Sequence, residues 1–115
     1  MTVHRFEDLK MWQKSPDLAV TIYSCFSTHK DYGFKDQITR TSVSISNNIA
    51  EGFERQSNTD FKRFLYFALA SNSEVRSMLY LSERLNYLDK AEALELVEFT
   101  NEVSKMIYAF IKSMR

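Results

Sequence analysis

The chain has 115 residues, long enough for one domain with a buried core. Apolar residues make up 44%, with nine Phe, six Tyr and one Trp, which excludes a disordered chain. Fifteen Lys and Arg balance fifteen Asp and Glu, so the basic excess that usually drives phosphate binding is absent. The lone cysteine, Cys25, excludes an intramolecular disulfide and reads as a small buried hydrophobe. The N-terminal run Met1 to Asp8 lacks the apolar stretch of a signal peptide. No segment approaches the roughly 18 apolar residues of a membrane span, so a cytoplasmic location is expected.

Two glycines and one proline leave few breaks, which favours long helices joined by short loops. The first predicted helix covers about 6–27, with Leu9, Trp12, Ala19, Ile22, Tyr23 and Phe26 on its apolar side. Pro16 removes a hydrogen bond there and costs about 3 kcal/mol or a kink. A fresh start at Ser15-Pro16-Asp17 would split the segment, but the seam keeps its spacing across the proline and favours one kinked helix.

The second helix is expected over about 34–55, with a line through Phe34, Ile38, Thr41, Ile45, Asn48 and Gly52. Asn48 and Gly52 are residues that a plain apolar core would not select. Ser57-Asn58-Thr59-Asp60 places an acid three residues after a hydroxyl, a start signal for a third helix over 58–86. Its seam runs Phe61, Phe64, Ala68, Ser71, Val75, Met78, Ser82 and Leu85. Asp89 and Glu92 repeat the capping pattern before a fourth helix over 90–114. That helix is expected to bury Leu96, Phe99, Val103, Met106 and Phe110, flanked by Ile107 and Ile111. Its acids lie early and its bases (Lys105, Lys112, Arg115) late, as the helix dipole favours. Without any period-two run, the whole of 1–115 is expected to form a single all-α domain, an up-down-up-down antiparallel four-helix bundle.

Familiar chemistries lack their residues. His4 and His29 are the only histidines, and neither follows a Glu by three, as a di-metal carboxylate bundle would need. Cys25 has no histidine in a helical relation to it, and no Gly-rich phosphate loop occurs. The expectation is therefore a protein that is not an enzyme, with no cofactor, metal or small-molecule substrate.

One polar row stands out on the second helix. Gln37, Arg40, Ser44, Asn48, Glu51 and Arg55 recur at three- and four-residue steps beside the apolar seam. Three readings stay open: a hydrogen-bond network tying this helix to Ser71 and Glu74 of the third, a subunit contact, or a face for an anionic partner. Gly52 would let two helices or two subunits approach closely. Lys10, Lys14, Lys62 and Arg63 are candidate nucleic-acid contacts, though such short clusters more often form a solvated surface. Tyr66, Phe67, Tyr80 and Tyr87 lie off the third-helix seam, with Phe53 and Tyr108 elsewhere. This surplus aromatic area points to burial between copies of the chain.

These residues carry a resemblance that spans nearly the whole chain. Gln37-x-x-Arg40, Ser44 and Asn48-Ile49-Ala50-Glu51-Gly52 resemble the signature of the bacterial four-helix bundle family of 23S rRNA intervening-sequence proteins. Phe6-x-x-Leu9-x-x-Trp12, Arg55, and Phe64-Leu65 with Ala68, Ser71 and Glu74 extend the match. Pro16 departs from it where a helix former is usual, and Asn72 where a glycine is common. The resemblance implies a left-handed bundle assembled as a ring, a homopentamer, from a family encoded within insertions in 23S rRNA genes or elsewhere in bacterial genomes. It also implies kinship with the accessory variability determinant protein of diversity-generating retroelements, a basic pentamer that binds nucleic acid and a reverse transcriptase. This neutral chain departs from that basic composition. The leading expectation is an oligomeric interaction protein; the alternative is an accessory factor that binds RNA or DNA through one face of the oligomer.

Overall fold

A computed structural model describes residues 3–114; Met1, Thr2 and Arg115, a base assigned above to the last helix, lie outside the described residues. Four helices follow one another: α1 Lys10–Phe26, α2 Tyr32–Phe53, α3 Asn58–Arg84 and α4 Lys90–Ser113. Contacts join α1 to α2, α2 to α3, α3 to α4 and α4 to α1, so α1 and α3 are diagonal in an antiparallel bundle. The described residues contain no strand.

Side chains set three of the four helix starts. Asp31 Oδ1 accepts from Phe34 N–H at 3.1 Å, Ser57 Oγ from Asp60 N–H at 3.1 Å, and Asp89 Oδ1 from Glu92 N–H at 2.8 Å. The Asp31 cap starts α2 at Tyr32, two residues earlier than the spacing predicts. The first helix starts later than expected. Phe6–Asp8 form a separate 3-10 turn, closed by Leu9 N–H donating to Phe6 O at 3.0 Å, and Leu9 is extended. Burying Leu9 at the N-cap position separates the two pieces. Pro16 sits inside an unbroken α1, beside a Ser15 hydroxyl that donates to the Met11 carbonyl at 2.6 Å. At its far end α3 stops at Arg84, short of the predicted Asn86. Asn86 has φ of 62°, a left-handed turn that Asn tolerates better than most residues. Tyr87 N–H then donates to Ser82 O at 2.8 Å.

The core differs from the predicted seams by one position along α3. Its fully enclosed line runs Leu65, Ala68, Asn72, Val75, Leu79 and Ser82, whereas Ser71 is half-buried and Leu85 exposed. The helix must cover both α2 and α4, so its buried wedge is wide. The predicted line is the α2-facing edge of that wedge. The same holds on α2, where Ile38, Ile45 and Ile49 are enclosed and Thr41 and Asn48 line the edge toward α3. Met11 and Leu18 join the α1 core, while Tyr23 is exposed. On α4, Ala93, Val97, Thr100 and Ile107 are buried, and Phe99, Met106 and Phe110 are only half-buried.

Candidate functional site

The polar row follows from how α2 meets α3. Adding a Cβ to Gly52 would place it 2.6 Å from Phe64 Cβ and 3.0 Å from the Phe61 ring. The two helices therefore meet closely at this end because Gly52 has no side chain. Farther along, the seam is narrow and half-wet, and small hydroxyls replace apolar bulk. Ser44 Oγ lies 2.6 Å from Ser71 Oγ and 2.8 Å from the Thr41 carbonyl. A hydroxyl has one proton, so Ser71 donates to Ser44 while Ser44 donates to the carbonyl. One turn on, Glu74 Oε2 accepts from Gln37 Nε2 at 3.3 Å and from Thr41 Oγ1 at 3.2 Å. Asn48 Nδ2 donates back to Ser44 O at 2.8 Å within its own helix.

The remaining members of the row take other partners. Arg40 is 82% exposed and pairs with Asp36 at 3.5 Å, a contact worth little in water. Glu51 is exposed. Arg55 leaves the row to stack its guanidinium 4.6 Å from the Phe64 ring centre, with Asp60 at 3.7 Å. The structure thus joins Gln37, Ser44, Ser71 and Glu74 across the seam, with Thr41 added. The sequence pattern puts Thr41 on the apolar line, though its three-residue step to Ser44 is a legible sign. An open trough of about 470 Å³ runs beside this seam, lined by Asp36, Gln37, Arg40, Thr41 and Ser44. It offers hydrogen-bond donors and one flexible cation to a surface partner, and no activated nucleophile.

The four basic candidates sit in the first two turns of α1 and α3, which begin at the same end of the bundle. Lys14 reaches Glu102 at 3.8 Å and lies over the Phe99 ring. Arg63 grips Asp60 at 2.6 Å and flanks Phe64 and Phe67. Because α1 and α3 are diagonal, the Lys10–Lys14 and Lys62–Arg63 pairs form two separate patches on one subunit. Of the surplus aromatics, Tyr66, Phe67, Tyr80 and Tyr108 are exposed. Phe53 and Tyr87 instead pack against the core. Tyr87 does so because its hydroxyl donates to Asp31 Oδ2 at 2.6 Å and its ring meets His29 and Phe34.

Sequence reasoning noted Asn72 only as a departure from the family pattern and missed that it is the largest fully buried polar side chain among the described residues. Asn72 is fully enclosed between α3 and α4; Nδ2 donates to Thr100 O and Ser104 Oγ, each at 2.7 Å. Its Oδ1 has no partner, the one such buried side-chain atom among the described residues. Cys25 is half-buried, and burial, followed by the charges of Glu92 and Glu95, pushes its thiol pKa up. A thiol so placed is a poor nucleophile. Among the described residues no group of three or more His, Cys, Asp or Glu is placed to hold a metal, and no helix is long and apolar enough to cross a membrane.

A four-helix bundle whose second and third helices meet over a glycine and a hydroxyl seam defines the class of protein. The chain belongs to the family of 23S rRNA-intervening sequence proteins, whose pattern it matches over residues 7–109. It is also similar to a crystal structure from Bacteroides thetaiotaomicron, described as a protein of unknown function from the S23 ribosomal protein family. That likeness has a TM-score of 0.83 at 29% identity and covers 90% of this chain and 99% of the other. No curated protein matches the chain.

Proposed function

We propose that this chain is a non-enzymatic, cytoplasmic interaction protein that works as a homo-oligomer, with a closed ring of five as the expected form. One observation carries the reading: uncharged aromatic and aliphatic side chains stand exposed on the outer face of α3 and beside α2 on α1. Tyr66, Phe67 and Tyr80 keep between 44% and 52% of their surface, and Val20 keeps 68%. Scattered apolar residues are ordinary on any surface, but a row of them along one helix marks a contact. The hydroxyl seam is consistent with the same reading, since it ties α2 to α3 and so sets where the outer face of α3 lies.

Light scattering on the purified chain tests this. A mass several times the 13.5 kDa of one chain is expected, and a monomer at micromolar concentration would refute it.

The alternative is an accessory factor that contacts RNA or DNA through one face of the oligomer. Lys10, Lys14, Lys62 and Arg63 all lie at one end of the bundle, so a ring of parallel subunits gathers the two separate patches onto one rim. Phosphate contacts of this kind make affinity fall steeply as salt rises. Absence of binding to structured RNA at low salt would remove it.

A further inference from the structure

At the end of the bundle where α3 begins, one aromatic ring stands open on a fixed base. Gly52 lets the α2 backbone close on Phe61 and Phe64. Phe61 also packs against the rings of Phe53 and Phe110, so this base belongs to the core. Phe64 is only 8% exposed, and three groups close over it. The Arg55 guanidinium lies 4.6 Å from its ring centre, the Arg63 guanidinium 5.2 Å, and the Phe67 ring meets it in a T-shaped contact at 5.5 Å. Phe67 is the last ring of this stack and keeps 44% of its surface in water. Its contacts turn it toward the α2 side of α3, off the line of Tyr66 and Tyr80.

The guanidinium beside that open ring is held in place. Arg63 lies 5.5 Å from the Phe67 ring centre, and its Nε and Nη2 both donate to Asp60 Oδ1, at 3.0 and 2.6 Å. A guanidinium carries five N–H donors, so this pairing orients the group and leaves donors for a second anion. Asp60 also draws Arg55 to 3.7 Å. With Lys62, three cations stand at this corner against two carboxylates, Glu54 and Asp60.

An excess of three cations over two acids is too small to hold a phosphate backbone by charge, and the chain as a whole is neutral. A ring with one fixed cation at its side suits a different ligand, a flat π-system joined to an anion. A nucleotide supplies both, its base for Phe67 and its phosphate for Arg63. The base must be unpaired, because one inside a duplex is already stacked between its neighbours.

From this we infer that Phe67, flanked by Arg63, is a stacking site for an unpaired base of a nucleic-acid strand. The inference rests on the nucleic-acid reading above and names what that face recognises: single-stranded loops and ends, held through a base more than through charge.

Fluorescence anisotropy on the full chain at low salt tests it with three labelled probes. One is a short RNA of mixed sequence that cannot pair with itself, the second is its duplex, and the third is an abasic strand of the same length. The unpaired strand should bind at least about tenfold more tightly than the other two, since they offer the same phosphates without an open base. Phe67→Ala should weaken the unpaired strand by about 5- to 100-fold, the span of one base stack, and leave the abasic strand unchanged. Because Phe67 is exposed, this variant should keep wild-type helicity by circular dichroism. Phe67→Leu, which keeps apolar bulk without a ring, should lose binding in the same way and serves if the alanine variant loses helicity.

If neither strand nor duplex binds, the nucleic-acid reading itself fails and this site with it. Binding that is as tight for the duplex or the abasic strand as for the unpaired one would leave that reading standing and overturn the stacking site. So would a Phe67 variant that binds like wild type, or one that weakens the abasic strand as much as the intact one.

Discussion

Gly52 is held at glycine by a contact, since its φ is not in the left-handed region. A methyl group there would sit 2.6 Å from Phe64 Cβ, an atom fixed to the α3 backbone that no rotamer change can move. Gly52→Ala gains up to about 1 kcal/mol of helix propensity. Overpacking costs about 1–3 kcal/mol and more where the backbone itself must shift, so the clash wins. The variant is expected to melt several degrees below wild type by calorimetry, and an unchanged or higher Tm would contradict this account. Asn72 works the other way. Its Nδ2 has two acceptors and its Oδ1 none, so the side chain leaves a buried acceptor unsatisfied. Asn72→Leu removes that orphan with the same number and branching of side-chain heavy atoms and should unfold at equal or higher denaturant, whereas Asn72→Ala should lose about 1–3 kcal/mol to the cavity. The sequence marked both positions as unusual. It could not separate them, because a close approach and an orphaned acceptor depend on what the next helix brings.

At the scale of elements, the helices were legible because the punctuation is sparse and two caps, Ser57 and Asp89, stand at the predicted starts. The seam lines were displaced because three- and four-residue spacing fixes a period and not the direction of its face. On α2 and α3 the predicted lines were the two edges that meet, one step from the true core centres. The joint between the α1–α2 and α3–α4 loops was not legible. It depends on Tyr87 reaching Asp31, which lies 56 residues earlier. That hydrogen bond, followed by the Phe34 amide, holds the Asp31 carboxyl below its ordinary value of 3.8, and the same bond raises the Tyr87 phenol above 10.0. A depressed carboxylate stabilises the fold above its unfolded pKa, and that contribution is lost as pH falls through the folded value. A raised phenol stabilises below its unfolded pKa, and its contribution disappears as pH climbs through the folded value. The joint should therefore be strongest between these limits. Tyr87→Phe should flatten both the acid and the alkaline limbs of the Tm-against-pH curve; limbs as steep as wild type would show that the bond carries no stability.

For the whole molecule, the proposed self-association would couple to the bundle through α3. Its inner face completes the core, its α2 edge carries the hydroxyl seam, and its outer face presents a ridge with the exposed Tyr66 and Tyr80. If the ridge is covered by a second copy, unfolding must also separate subunits, and mass action makes the Tm depend on protein concentration. A tenfold dilution removes about 1 kcal/mol per subunit from an assembly of several copies, a fall of a few degrees in a domain of this size. A variant carrying Tyr66→Glu and Tyr80→Glu on that outer face should melt lower, at a temperature that does not move with concentration. Scanning both proteins across a hundredfold range of concentration checks this. A wild-type Tm that stays fixed over that range would mean that the exposed tyrosines contribute nothing to the stability of the folded state through self-association.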